Sequence, residues 1–419
     1  MAEPSDGEGA RELNCHLAPE KFVQAAVSLY PAGLSLPELS GLMSANRDAQ
    51  SLNLTRQSTV GFMDRFLDEA YTLLLIHLDH EDLKQQYEAV MDDHASGMTT
   101  RSNTEHPLRE FNVYMSLAIG AALSPNSARL ESFATFLHAA CMDIFPSLIK
   151  NGDALVYIQC ILYLVIHSTL SPHGGSTWYL LGLAVSKCIS SGFHKDLDVN
   201  AGLPAANLES RRRTFWSLYL IDRSISSVMD RPFGIQDHDI SVQDLPEGSS
   251  DKDSLIHHLI MHAKLTSHSR RDSEGPPMCD YHNFLYWQQL PSPVRKLAAK
   301  NQAVSYLLHR LSFRTSAQFI RPLSAEETTM AETVRKLEAD VITHCRVFID
   351  ELHSQLDVEK FSGSLFDIFD IFAAGILVLY FGETQLTEER YLLSWIALST
   401  RILMIKPLTF LTPYLLDYI

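Results

Sequence analysis

His258 and His262 stand four residues apart and share one face of any helix drawn through them, with His257 and His268 close by. Two imidazoles at that spacing can begin a metal site, each giving one nitrogen ligand. The chain holds 18 histidines, so such a pair also arises by chance, and packing at the surface or between helices is the expected use. Asp237-His238-Asp239 offers three possible ligands in a row. Short acids in a turn more often bond their own backbone, and that is the expectation for this triplet. Asp92-Asp93 could hold a divalent cation, but a third acid is missing and no second motif of Asn, Ser and Glu follows. Asp222 sits inside an apolar run with no second acid or nucleophile close in sequence, so a catalytic acid lacks its partners there. Phosphate-binding and hydrolase patterns (GxxxxGK with Ser or Thr, GxGxxG, HExxH, GxSxG) do not occur. His173-Gly174-Gly175 alone makes no oxyanion hole. No catalytic, cofactor-binding or metal residue is expected, and an enzyme is not.

The elements that would position these residues are helices. Over Glu209–Pro246 the sequence reads ESRRRTFWSLYLIDRSISSVMDRPFGIQDHDISVQDLP. Phe215, Leu218, Asp222, Ile225 and Met229 recur at helical spacing on one stripe, while Ser217, Arg223 and Ser227 fall away from it. A carboxylate on an apolar stripe must be paired, and Arg212, Arg213 or Arg231 is the expected partner. Pro232 ends the helix.

Helical patterning runs through most of the chain. A short helix is expected near Glu20–Leu29 and a long one over Thr59–His80. Phe111–Leu123 reads as a buried helix, and others are expected near 125–149, 153–170, 175–191, 207–229, 253–268, 293–319, 325–355, 363–381 and 388–404. Loops are expected over 230–251 and 270–282. Ser124-Pro125 and Ser292-Pro293 look like helix starts, and Ser324 with Glu327 fits a capping box. Alternating Val and Ile with turn signals is missing, so no sheet is expected. The fold class is all-α: an irregular N-terminal segment over 1–57, then one large multi-helix domain over 58–419.

Composition agrees. The hydrophobic share is 46%, outside the disordered class. A net charge of −16 repels a phosphate backbone, so these residues are not expected to bind nucleic acid directly. The start, MAEPSDGEGARE, has neither signal nor transit character. The apolar runs Ala154–Ile166 and Ile371–Gly382 fall short of the ~20 residues a bilayer needs, and no membrane partner is expected. Six cysteines at 15, 141, 160, 188, 279 and 345 are dispersed, with no CxxC, and read as reduced and mostly buried.

The Glu209–Pro246 stretch closely resembles the signature of the middle, regulatory domain of fungal zinc-cluster transcription factors. The residues carrying the likeness are Arg212, Arg213, Phe215, Trp216, Asp222, Arg223, Arg231, Pro232, Asp237, Asp239 and Pro246. Where the family usually has Gly before Arg-Pro, this chain has Asp230, a residue that tolerates a left-handed backbone better than most. Upstream, Trp178–Asp196 (WYLLGLAVSKCISSGFHKD) resembles another family segment, ending in Gly192, Phe193, His194, Lys195 and Asp196. Gln159 in an apolar helix, Phe111–Leu123, and Ser305–Arg310 (SYLLHR) complete the likeness, which covers roughly residues 105 to 320.

The resemblance implies a regulator of pathway gene transcription, nuclear, working through co-regulators or the transcription machinery, with a homodimer and a small-molecule effector as further family-level expectations. The family's zinc cluster needs closely spaced cysteines, so no zinc cofactor is expected here, and DNA would be reached through a missing or separate module. The alternative is an α-helical metabolic enzyme or ligand-binding protein with a buried pocket.

Overall fold

The computed structural model of the chain describes residues 54–70, 72–96, 106–124, 127–150, 153–171, 174–196, 204–245, 250–269, 278–318, 331–357 and 364–381. Among them lie thirteen α-helices, one short 3-10 turn and no strand, the all-α class expected.

The first two helices are α1 (Arg56–Glu69) and α2 (His80–Ala95). The helix expected over 59–80 is only α1 and the link that follows it, and α2 begins where that expectation ended. Thr55 caps α1 in a box with Ser58. After Glu69 the chain turns, Leu74 takes a positive φ of 62°, and Leu73–Ile76 is buried as an irregular link. Asp79 then starts α2 by accepting hydrogen bonds from the amides of Glu81 and Asp82 at 2.9 and 3.3 Å. An acid that bonds the backbone ahead of it favours a helix start over a helix interior, and the apolar period hid that signal.

α3 (Pro107–Ala122) and α5 (Ala154–Leu170) form the centre. Every residue of α5 from Cys160 to Leu170 is buried, as expected for a helix apolar all round. Asp153 caps α5 through the Leu155 amide at 2.9 Å. α3 crosses α1 so closely that a Cβ on Gly120 would come within 2.0 Å of the Phe62 carbonyl oxygen. α4 (Ser127–Lys150) packs on α3. Its Leu130–Lys150 segment is long and apolar enough to cross a membrane by length and composition, a stretch the sequence reading passed over. Yet Ala134, Leu137, Cys141, Phe145 and Leu148 are buried at helical spacing, which turns one stripe to the core.

α6 (Thr177–Ser190) runs to Gly192, whose φ of 66° supplies the left-handed stop. α7 (Ala205–Val228) carries the signature, and α8 (Asp251–Ser269) lies against it. α9 (Met278–Trp287) occupies part of the segment expected as a loop over 270–282. Phe284 and Trp287 are buried, which organises a short helix without a strong start signal. The helix expected over 293–319 is two, α10 (Ser292–Lys300) and α11 (Gln302–Gln318). Asn301 breaks them with an extended backbone, and its Oδ1 accepts from the amides of Ala303 and Val304 at 2.9 and 3.2 Å. Ser292 is the first residue of α10 rather than its cap, and no side-chain cap bond forms there. α12 (Ala331–Asp357) and α13 (Leu365–Phe381) complete the described helices. The expected helices near 20–29 and 388–404, Pro125, Pro246 and the Ser324–Glu327 box lie outside the described residues.

One apolar core runs from Leu54 in front of α1 to Phe366 on α13. A smaller cluster joins α11, α12 and α13 through Phe313, Phe348 and Ile371. Each fully buried Phe or Leu contributes about 1.5–3 kcal/mol relative to exposure, and α3, α5 and α7 are rich in such residues.

Candidate functional site

The Glu209–Pro246 signature folds into one polar knot inside this core. From Thr214 to Arg223 every residue of α7 is buried, on all sides of the helix. Asp222 is 1% exposed and Arg223 3%. Arg223 Nη1 donates to Asp222 Oδ2 at 2.6 Å. Its remaining donors reach Ser267 Oγ on α8 at 2.6 Å, the Ile235 carbonyl at 2.7 Å and Asp237 Oδ1 at 2.8 Å. The guanidinium lies 4.1 Å from the Tyr219 ring centroid and 4.2 Å from that of Phe233. Planar, always charged and able to stack, arginine suits this position as lysine would not.

Asp222 receives what Arg223 leaves. The Gly234 amide sits 3.1 Å from each carboxylate oxygen, and the Ile235 amide is 3.4 Å from Oδ2. Burial pushes the Asp222 carboxyl up, and Arg223 with the two loop amides pulls it back down. A Cβ on Gly234 would meet the Val185 methyls at 3.1 Å and Asp222 Oδ1 at 3.2 Å, so a side chain there would have to push them aside by a few tenths of an ångström. Ahead of it, Asp230 takes a φ of 48°, the left-handed backbone that its place before Arg-Pro suggests. Tyr219 donates to Asp237 Oδ1 at 2.8 Å.

The second signature segment is tied to the first. The His194 carbonyl accepts from the Ser241 and Val242 amides at 3.0 and 3.2 Å. Asp196 Oδ1 accepts from the Gln243 amide at 3.1 Å, and Trp216 donates to the Gln243 carbonyl at 3.1 Å. Arg211 caps the end of α6 at the Ser191 carbonyl, 2.8 Å away, and stacks 3.8 Å over Phe193. Residues from 192–196, α7 and 233–243 thus form one hydrogen-bonded unit.

The partner of Asp222 differs from expectation. Arg212 lies 3.6 Å from Glu209, Arg213 bridges Glu209 and Asp253 at 2.7 and 3.1 Å, and Arg231 stands 5.1 Å over the Trp178 ring. Helical spacing gives α7 one apolar stripe, with Arg223 and Ser217 outside it. The helix is enclosed on every side, so both are buried, and Ser217 Oγ accepts from the His77 amide at 3.1 Å. Phe215 and Trp216 are fully buried, while Pro232 begins the turn into the loop. Asp237–Asp239 is a 3-10 turn, with Asp239 exposed and 3.5 Å from His238.

The other chemistry-bearing pairs resolve into packing. His258 stacks on Trp287 with centroids 4.6 Å apart, and His262 lies 4.5 Å from the same ring. His262 Nε2 meets Thr315 Oγ1 at 2.7 Å. Burial pushes both imidazoles down, His258 to about 4 and His262 to about 3. Asp92 pairs with Arg56 at 2.7 Å and Asp93 with Arg109. Among the described residues no three ligand-type side chains converge on one point.

Sequence reasoning missed a second charged knot, between α11 and α13. Tyr306 donates to Asp367 Oδ1 at 2.8 Å, Arg310 lies 3.4 Å from Asp367, and Arg314 bonds Asp370. Burial pushes the Asp370 carboxyl up against the pull of Arg314 and Arg310. Arg310 and Arg314 on one face of α11, matched by Asp367 and Asp370 on an otherwise apolar α13, were the available signal.

The sequence of this region is similar to that of known proteins. Residues 63–291 match the family described as the fungal specific transcription factor domain. Over 140 residues the chain is 31% identical to "Pyrimidine pathway regulatory protein 1" of Saccharomyces cerevisiae, a stretch covering 33% of this chain and 15% of that protein. Over 138 residues it is 31% identical to "Protein STB5" of the same yeast, covering 32% and 18%. "Activator of stress genes 1", also from that yeast, is 32% identical over 104 residues, covering 25% and 11%. The chain therefore spans less than a fifth of the length of these relatives, and the names of the first and third describe regulators. The matched region holds the whole α7 knot and both segments that tie into it, and the chain belongs to the fungal specific transcription factor domain family.

Proposed function

We propose that the chain controls transcription of a set of pathway genes from the nucleus, by contacts with co-regulators or the transcription machinery and in response to a small-molecule effector. The family match over 63–291, more than half the chain, is the observation that carries this reading. Its DNA contact comes from a separate module, since a net charge of −16 works against binding a phosphate backbone directly. The buried charges at Asp222 and Arg223 serve the scaffold, because each is satisfied inside the protein and neither faces an open cleft.

The test is a reporter assay with the full chain fused to an unrelated DNA-binding domain. The fusion should raise or lower reporter transcript severalfold. Asp222→Ala should abolish the effect by unfolding the scaffold, seen as loss of soluble protein. A wild-type fusion that is stable, nuclear and without effect on transcript would overturn the proposal.

A further inference from the structure

Ser241 lies near the end of the signature, in a connection over 240–245 that is neither helix nor strand. Ile240 before it is extended, with φ −86° and ψ 122°. The Ser241 amide donates to the His194 carbonyl at 3.0 Å, and its Oγ accepts from the Asp196 amide at 3.2 Å. The side chain is exposed, and its hydroxyl proton goes to no described residue. Asp244 stands three residues on and pairs with Lys264 at 2.7 Å.

A serine with an acid three positions later is a charge pattern that acidophilic kinases read. Among the described residues Ser227, Ser241, Ser250, Ser269, Ser354 and Ser364 have it. Phosphoryl transfer needs the hydroxyl oxygen about 3–3.5 Å from the phosphorus and in line with the leaving oxygen. Backbone on both sides of the serine must therefore enter the enzyme. Ser227, Ser269 and Ser354 lie within α7, α8 and α12, whose packed backbone is not free to do so. Ser250 and Ser364 stand at the starts of α8 and α13. Their hydroxyls donate to the very acids a kinase would read, Asp253 and Asp367, at 2.7 Å each. Of these serines, Ser241 combines exposure, an extended approach and an uncommitted proton.

Phosphate at this position would meet carboxylates. Asp196 Oδ1 is held by the Gln243 amide at 3.1 Å, two residues from Ser241, and Asp239 is exposed two residues before it. Asp239 and Lys195 both lie close enough to act on the His194 ring. Lys264 is held by Asp244, and Arg211 by the Ser191 carbonyl and the Phe193 ring. Lys195 thus offers one positive charge against Asp196, Asp239 and a phosphate of about −1.5 to −2. Repulsion falls on the tie between 192–196 and 241–243, which consists of hydrogen bonds at the surface of the knot.

We infer that Ser241 is a phosphorylation site for an acidophilic serine kinase, and that phosphate there loosens the tie between 192–196 and 241–243. In the transfer the Ser241 O–H bond and the bond from the γ-phosphorus of ATP to its bridging oxygen break. The Oγ–P bond forms, ADP leaves, and the proton passes to the kinase's base. The inference supplies the regulatory reading with a switch without depending on it, because modification and loosening are measured on the purified chain with no transcript readout.

The full chain is incubated with ATP and a purified acidophilic serine kinase of the casein-kinase class, and phosphate is located by peptide mass spectrometry. Ser241 should be modified at least ~10-fold faster than the other five serines, whose reaction needs local unfolding first. Asp244→Asn should slow modification of Ser241 at least ~10-fold. In the phosphorylated chain the amides of Asp196, Ser241, Val242 and Gln243 should exchange hydrogen at least ~10-fold faster, with 154–170 unchanged. Ser241→Ala removes the hydroxyl and adds no charge, so Val242 and Gln243 should exchange within about threefold of wild type. Thermal melts confirm that both variants are folded, and the wild-type measurements decide if either is not. No phosphate at Ser241, a wild-type rate in folded Asp244→Asn, or unchanged exchange at those amides after modification would each overturn the inference.

Discussion

Asp222 and Arg223 place two opposite charges side by side in the part of α7 that water does not reach. The desolvation of each is offset by the partner, by the loop amides on Asp222, and by Ser267, the Ile235 carbonyl, Asp237 and the stacked rings of Tyr219 and Phe233 on Arg223. Removing the carboxylate leaves Arg223 with Asp237, whose side chain is 18% exposed, as its remaining acid. Asp222→Ala should therefore lose about 3–5 kcal/mol in a denaturant titration. Asp92→Ala removes a carboxylate that is 71% exposed and should leave the melting temperature near wild type. A wild-type melt for Asp222→Ala would mean the carboxylate is not the internal partner of Arg223.

At the scale of elements, α8 and α9 are joined by Trp287, with His258 stacked on its ring and His262 tilted against it. Both histidines fold neutral, with pKa values depressed to about 4 and about 3 from an ordinary 6.5. The unfolded chain takes up protons near pH 6.5 and the folded chain does not until well below. The stabilisation is thus complete above pH 6.5 and is lost as pH falls through the window down to about 4. Each histidine contributes a slope of up to about 1.4 kcal/mol per pH unit. Denaturant midpoints measured from pH 7 to pH 4.5 should fall steeply in wild type and less steeply in His262→Phe, which keeps the ring and removes the titration. Much of this architecture was legible beforehand. α5, α6 and α7 follow from apolar period, and Gly192 supplies the stop after α6. The breaks at Asp79 and Asn301 were not read, because each is set by one side chain accepting backbone bonds inside an unbroken apolar pattern. α9 was missed because burial of Phe284 and Trp287, rather than a cap, organises it. In the candidate site the burial of Asp222 was legible, whereas its partner was not. A stripe drawn on one helix face cannot show that neighbours close over the other face.

Across the whole molecule the two charged knots divide the work. The Asp222–Arg223 knot sits in the main core, and the Arg310–Asp367 and Arg314–Asp370 pairs fasten α13 to α11 beside the smaller cluster. Asp370→Ala should free α13 while sparing α3, α5 and α7. Hydrogen exchange over 365–381 should then rise at least ~10-fold with little change over 154–170. Equal protection of α13 in variant and wild type would show that apolar packing alone holds it. The adjacency of Asp222 and Arg223 has a kinetic meaning. Neighbours in sequence meet without closing a loop, so the counter-ion travels with α7 as the helix forms. Gly234 and Asp237 lie 12 and 14 positions from the residues they bond and must be found by search. The order of assembly is then helix first and loop last. Substitutions at Asp237 should chiefly speed unfolding in stopped-flow chevrons, while those at Trp216 should slow refolding.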